Sequence, residues 1–290
     1  MFAFVHQILS GLAMGSVYAS VALAIVMIYQ ATRLVNFAQG EMAMFSTYLA
    51  WAMIDAGLPY WVAFFLTVVI SFILGAAIER LVIRRFDGAP VLTVVIVFIG
   101  LLVIIDSLAG WLFTYSIKSF ESPFPETARF GAGYVSPHEM GAMGVTLAML
   151  ALIYVFFRFT PLGLAMRAAA QNPVSARLVG ISVSRMLAIG WGLAAAVGAV
   201  AGMMAAPIVY LDPNMMSGIL LYGFAAALLG GIDNPWGAVL GGFIVGVLEN
   251  IAGAYLVGAE IKLSVALAII IGVLVAKPSG LFGRVIATRV

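Results

Sequence analysis

Long stretches with almost no charge alternate along the chain with short polar clusters. The runs cover 1–33, 56–78, 88–105, 140–157, 186–211, 213–232 and 263–276. Most have the length a helix needs to cross a hydrocarbon core about 30 Å thick. Lipid offers the backbone no hydrogen-bond partners, so helices are the natural way for such runs to cross. The pattern predicts an all-α polytopic membrane protein with about eight or nine membrane-embedded helices, forming one domain over 1–290.

The polar clusters carry the candidate chemistry. Asn36, Gln39, Gly40 and Glu41 fall within six residues between apolar runs. Gly40 permits a bend, and the amides and carboxylate can satisfy backbone groups freed where a helix is interrupted. This cluster reads as a helix break lining a protected cavity. The alternative is a surface loop in which Asn36 caps the next helix. A second interruption, Gly230-Gly231-Ile232-Asp233-Asn234-Pro235-Trp236-Gly237, follows a helix opened by Ser217-Gly218, much as the first follows one opened by Ser10-Gly11. Breaks at corresponding places in two halves point to a transporter's midplane site, so Asp233 and Asn234 join the candidate pathway.

Glu41, Asp106 and Glu249 lie inside or at the ends of apolar runs, where an ionised acid facing lipid at mid-bilayer costs about 2.5–3.5 kcal/mol. They should therefore face protein or water, as a lined path or a hydrogen-bond knot, although Asp106 also fits a place near an interface. Glycines four apart, at Gly11 and Gly15, Gly198 and Gly202, Gly237 and Gly241, and Gly242 and Gly246, read as helix-packing notches without chemistry.

Composition agrees: 64% of residues are hydrophobic and 9% charged. Ten of the 14 Lys and Arg residues form three groups, at Arg80, Arg84 and Arg85, at Arg158, Arg167, Arg177 and Arg185, and at Lys277, Arg284 and Arg289. These groups mark the cytoplasmic side. The segment 114–139 is then an external loop. The side of the N-terminus depends on whether the piece 36–54 crosses or returns. The start lacks the basic region of a signal peptide, so the first segment is expected to stay.

Between Arg158 and Arg185 the chain is too polar to span yet rich in helix formers. Asn172-Pro173 is an N-cap and first-turn pair, Arg177 falls in a last turn, and Gly180 stands where a terminating glycine belongs. Two short helices at 159–185 therefore form a cytoplasmic docking surface involving Arg167, Asn172, Pro173, Ala176, Arg177 and Gly180. With no cysteine, no phosphate-binding loop, no paired metal-binding histidines and a net charge of +2, neither catalysis, a bound metal or cofactor, nor a nucleic-acid partner is expected.

Val17-Tyr18-Ala19, Asn36-Phe37-Ala38-Gln39-Gly40-Glu41, Ala176-Arg177-Leu178-Val179-Gly180-Ile181 and the block from Gly230 to Ala238 closely resemble the LivH-type permease of bacterial branched-chain amino acid ABC transporters. The likeness keeps the order and spacing of these blocks over almost the whole chain. Typical members have histidine where this chain has Gln39, and a Gly-Ser-x-Pro-Gly version of the third block. The resemblance implies a type II ABC importer permease fold in the bacterial inner membrane. It also implies pairing with a second, LivM-like permease, two cytoplasmic ATPase subunits that hold ATP and Mg, and a periplasmic binding protein delivering hydrophobic amino acids. Relatives that import urea, short amides or aromatic compounds keep those substrates open. The competing class is a self-sufficient proton-coupled carrier using Glu41, Asp106 and Glu249.

Overall fold

A computed structural model describes residues 2–124, 135–257 and 261–283. Eleven α-helices follow in order among the described residues: α1 Phe2–Thr32, α2 Gln39–Asp55, α3 Tyr60–Leu81, α4 Val91–Phe113, α5 Pro137–Phe159, α6 Pro161–Gln171, α7 Pro173–Leu178, α8 Val183–Val209, α9 Met215–Gly230, α10 Pro235–Ala252 and α11 Lys262–Ala276. Six of these contain segments long and apolar enough to span a membrane. The shorter helix α9 is also apolar, and α2 and α11 pack against the same bundle, so the helix count is roughly that predicted, while α6 and α7 form the predicted polar pair.

Helix α1 is the central post. Its residues 15–27 are all buried although it is apolar all round, because α8, α9 and α10 enclose it. Its closest neighbour is α10. A Cβ built on Gly11 would lie 2.8 Å from the Val247 Cα, and one on Gly15 would lie 3.0 Å from the Gly242 carbonyl oxygen. The predicted notches thus place backbone against backbone, the contact that drives helix association where lipid removes the hydrophobic drive. On the other flank, Gly75 of α3 meets the Trp191 carbonyl and Ala195 of α8, and Gly192 meets Phe72. Helices α3 and α4 expose Phe65, Val69, Ile73, Leu92, Ile96 and Ile104, the apolar surface a bilayer requires.

Two ends can be told apart. At one, Arg84 of the turn after α3 donates to Glu79 and to the Ser184 carbonyl of α8, and Arg33 after α1 pairs with Asp233 between α9 and α10. At the other, Lys118 and Leu211 exchange backbone hydrogen bonds, and the Lys118 ammonium sits 4.5 Å from the Trp51 ring centroid. The Asn250 amide donates to the Gln7 carbonyl at that same end. The arginine end is the one that the positive-inside rule assigns to the cytoplasm. The stretch 33–55 runs from the arginine end to the opposite end, so the N-terminal end of α1 and the C-terminal end of α11 lie at opposite ends of the bundle.

Helix α5 begins at Pro137, under a capping box of Ser136 and Glu139, so the last residues of the predicted external loop are helical. Pro125, Glu126 and Arg129 of that loop, and Arg284 and Arg289 of the third basic group, lie outside the described residues.

Candidate translocation site and coupling surface

The first polar cluster interrupts the chain inside the bundle. After α1, Arg33 takes a left-handed conformation with φ 59°. The chain then folds back, with Phe37 against Phe224 of α9, and α2 starts at Gln39. The Gln39 amide donates to the Ala194 carbonyl at 3.1 Å and abuts Gly198, whose missing side chain leaves room for it. Ala194 lies about 17 Å along α8 from its inner end, so α2 begins deep in the bundle. A Cβ on Gly40 would meet Leu220 of α9 at 3.3 Å. Asn36 does not cap α2: its Oδ1 accepts from the Ala38 N–H at 3.0 Å, turning the chain ahead of the helix. Asn36 and Gln39 are 0% and 1% exposed, so the surface-loop alternative does not hold.

The three acids part company. Glu41 occupies the first turn of α2, 9% exposed, and makes no hydrogen bond or ion pair with another described residue. Asp106, half-buried on α4, lies within electrostatic reach of Glu41 and Tyr48. Glu249 belongs to a knot instead: the Tyr18 hydroxyl, midway along α1, donates to it at 2.6 Å, and Tyr222 of α9 stacks on Tyr18 with centroids 4.8 Å apart. This knot ties three helices together at one depth. Tyr18→Phe strips a buried carboxylate of a donor and is expected to cost about 1–3 kcal/mol, seen as a lower midpoint of thermal inactivation in detergent. An unchanged midpoint would remove the knot from the account of stability.

Asp233 and Asn234 lie elsewhere. Asn234 caps α10 by accepting from the Trp236 and Gly237 N–H groups, while its own amide donates to the Phe282 carbonyl. Asp233 accepts from Arg33 at 2.8 Å, and its carbonyl accepts from Gln30. The second interruption is thus a capped turn at the arginine end of the bundle, not a break within it. It reaches the end of α1, just ahead of the first, through Gln30 and Arg33, neither of which the sequence reading singled out.

At the same end, Thr160 caps α6 and Asn172 caps α7, accepting from the Gly163 and Ser175 N–H groups respectively. Gly180, φ 85°, ends α7: its N–H bonds to the Arg177 carbonyl and the Ile181 N–H to the Ala176 carbonyl, a Schellman closure. Ala176 is turned inward, packed with Ala169 and with Val183 of α8. It therefore seats the pair on the bundle and is not open to a partner. Arg167, Pro173 and Arg177 are exposed. So are Val174, Leu178 and Val179, at 67%, 83% and 75%, an apolar set the sequence reading left out. An exposed apolar residue on a short polar helix looks the same in sequence as a buried one.

The family described as the branched-chain amino acid transport system permease component matches residues 7–274. The high-affinity branched-chain amino acid transport system permease protein LivH of Escherichia coli is 31% identical, over 97% of this chain and 96% of that protein. BraD of Pseudomonas aeruginosa, a permease protein of the same description, is 29% identical over 97% of this chain and 96% of its own length. A probable branched-chain amino acid transport permease protein LivH from Methanocaldococcus jannaschii is 26% identical, over 82% and 78% of the two chains. With nearly the whole bundle matched in this way, the chain belongs to the branched-chain amino acid transport permease family.

Proposed function

We propose that this chain is the membrane-spanning permease subunit of an ATP-driven importer. Together with a second, LivM-like permease it forms the path for branched-chain and other hydrophobic amino acids handed over by a periplasmic binding protein. Two cytoplasmic ATPase subunits, holding ATP and Mg, dock on α6–α7. The family and its named relatives support the substrate class. One observation carries the mechanism: α8 joins the docking pair to the break. At its start Val183 packs on Ala176, and further along its Ala194 carbonyl holds Gln39. A displacement of α7 then travels along a rigid helix and moves the seat of α2, where the path from Asn36 to Glu41 lies. Rigid elements with two arrangements are what such coupling requires.

The test is reconstitution in liposomes with a LivM-like permease, the ATPases and a binding protein from the same organism. Leucine uptake is expected only with all components and ATP, with urea, short amides and aromatic acids as weak competitors. The chain alone is expected neither to hydrolyse ATP nor to take up solute. Proton-driven uptake by the isolated chain would overturn the proposal.

A further inference from the structure

The first turn of α2 holds donors and acceptors that have no partner among the described residues. A helix start leaves its first N–H groups without intrahelical partners. Here the Met42 N–H bonds to the Ala38 carbonyl and the Gln39 N–H reaches the Asn36 carbonyl at 3.4 Å, but the Gly40 and Glu41 N–H groups find no acceptor among the described residues. Both residues are buried. Buried N–H groups without partners are rare and call for an explanation. On the same turn, Gln39 Oε1 is buried and accepts no hydrogen bond, although the amide nitrogen beside it is held by Ala194. The Glu41 carboxylate, on a residue 9% exposed, also stands without a described partner.

These groups are complementary as a set. Two N–H donors at the positive end of a 17-residue helix suit a carboxylate. The Glu41 carboxylate, in the same first turn as these N–H groups, suits an ammonium, and Asp106 adds negative potential from α4. A lone anion would meet Glu41, and a lone cation would meet the helix dipole, whereas a molecule carrying both charges on adjacent atoms meets neither conflict. Leu220 of α9, against Gly40, supplies apolar surface beside the turn. We propose that the start of α2 receives the zwitterionic head of an α-amino acid, its carboxylate on the Gly40 and Glu41 N–H groups and its ammonium on the Glu41 carboxylate. This rests on the importer reading and adds to it a site and a rule: both charges of the substrate are read, while the side chain is read loosely.

The experiment uses the assembled complex, with this chain free of native cysteine. Phe37→Cys, at a position 37% exposed beside the turn, is labelled with a thiol reagent, and the labelling rate is followed with ligands at millimolar concentration. Leucine is expected to slow labelling. Its analogues lacking one charge, 4-methylpentanoate without the ammonium and 3-methylbutylamine without the carboxylate, are expected to leave the rate unchanged. Adding Glu41→Gln to Phe37→Cys is expected to weaken leucine protection by at least about tenfold, as loss of a charge-assisted contact predicts, and Glu41→Asp to retain part of it. Equal protection by leucine and either analogue overturns the proposal, and this arm needs no change at the site itself. Leucine uptake without protection by leucine overturns the site and leaves the importer reading standing. Protection by leucine without ATP-driven uptake supports the site and overturns the importer reading.

Discussion

Gly246→Leu is expected to eliminate the folded protein, whereas Gly144→Leu leaves it intact. Both glycines lie within membrane helices and both changes add the same side chain. A Cβ on Gly246 runs into the Gly11 carbonyl and the Gly15 backbone of α1, while one on Gly144 meets nothing within 4 Å on the exposed face of α5. Backbone cannot rotate aside as a side chain can, so α1 and α10 must separate. Overpacking that side chains absorb costs about 1–3 kcal/mol, and a backbone clash belongs at or above the top of that range. The separation also stretches the Tyr18 to Glu249 hydrogen bond, which spans the same interface. A monodisperse peak in size-exclusion chromatography and the midpoint of thermal inactivation measure the contrast. A Gly246→Leu protein as stable as the Gly144→Leu protein would mean that α1 does not pack on α10 through these glycines.

That contrast shows what a sequence of this kind can and cannot say. The notch pairs were legible as packing positions, but not which helices they join. An all-apolar helix reads the same against lipid as against protein, so nothing in α1 announced it as the central post. The pair α6–α7 was legible almost in full, because its signals are local: Asn172 and Pro173 start a helix and Gly180 ends it within a few residues. The break at Asn36 was legible as a break, since polar residues in an apolar run must be satisfied somewhere. Its seat was not, because it depends on Gly198 and Ala194, far away in sequence. Asp233 and Asn234 misled for a related reason. An interrupted helix at mid-membrane and a capped turn at the membrane surface both use glycine, an amide and proline. What separates them is the tertiary bonding to Arg33 and Phe282.

Leu178→Glu is expected to detach the ATPase while the permease stays folded, and Ala176→Leu to do nearly the reverse. Leu178 is 83% exposed on α7, so a charge there disturbs no contact of the described bundle, yet it adds a desolvation cost to any partner surface that covers it. Co-purification of the ATPase is expected to fall by at least about tenfold, the effect of losing one apolar anchor worth roughly 2 kcal/mol. Ala176 is 3% exposed, packed with Ala169 and Val183. Leucine there pushes α7 off the start of α8 and loosens the joint through which motion reaches Gln39. The expected result is an ATPase that still co-purifies and still hydrolyses ATP, with hydrolysis no longer stimulated by loaded binding protein and with leucine uptake lost. A cysteine at Ser175, exposed on the same helix, supplies the geometric control. It should crosslink to a cysteine on the ATPase, and the yield should depend on nucleotide. If Ser175 crosslinks to no position on the ATPase, while positions near Lys118 at the opposite end do, then both the docking surface and the inside–outside assignment are wrong. If Leu178→Glu and Ala176→Leu instead give the same phenotype, docking and transmission are not separable along α7, and the path through Val183 and α8 fails as the coupling route.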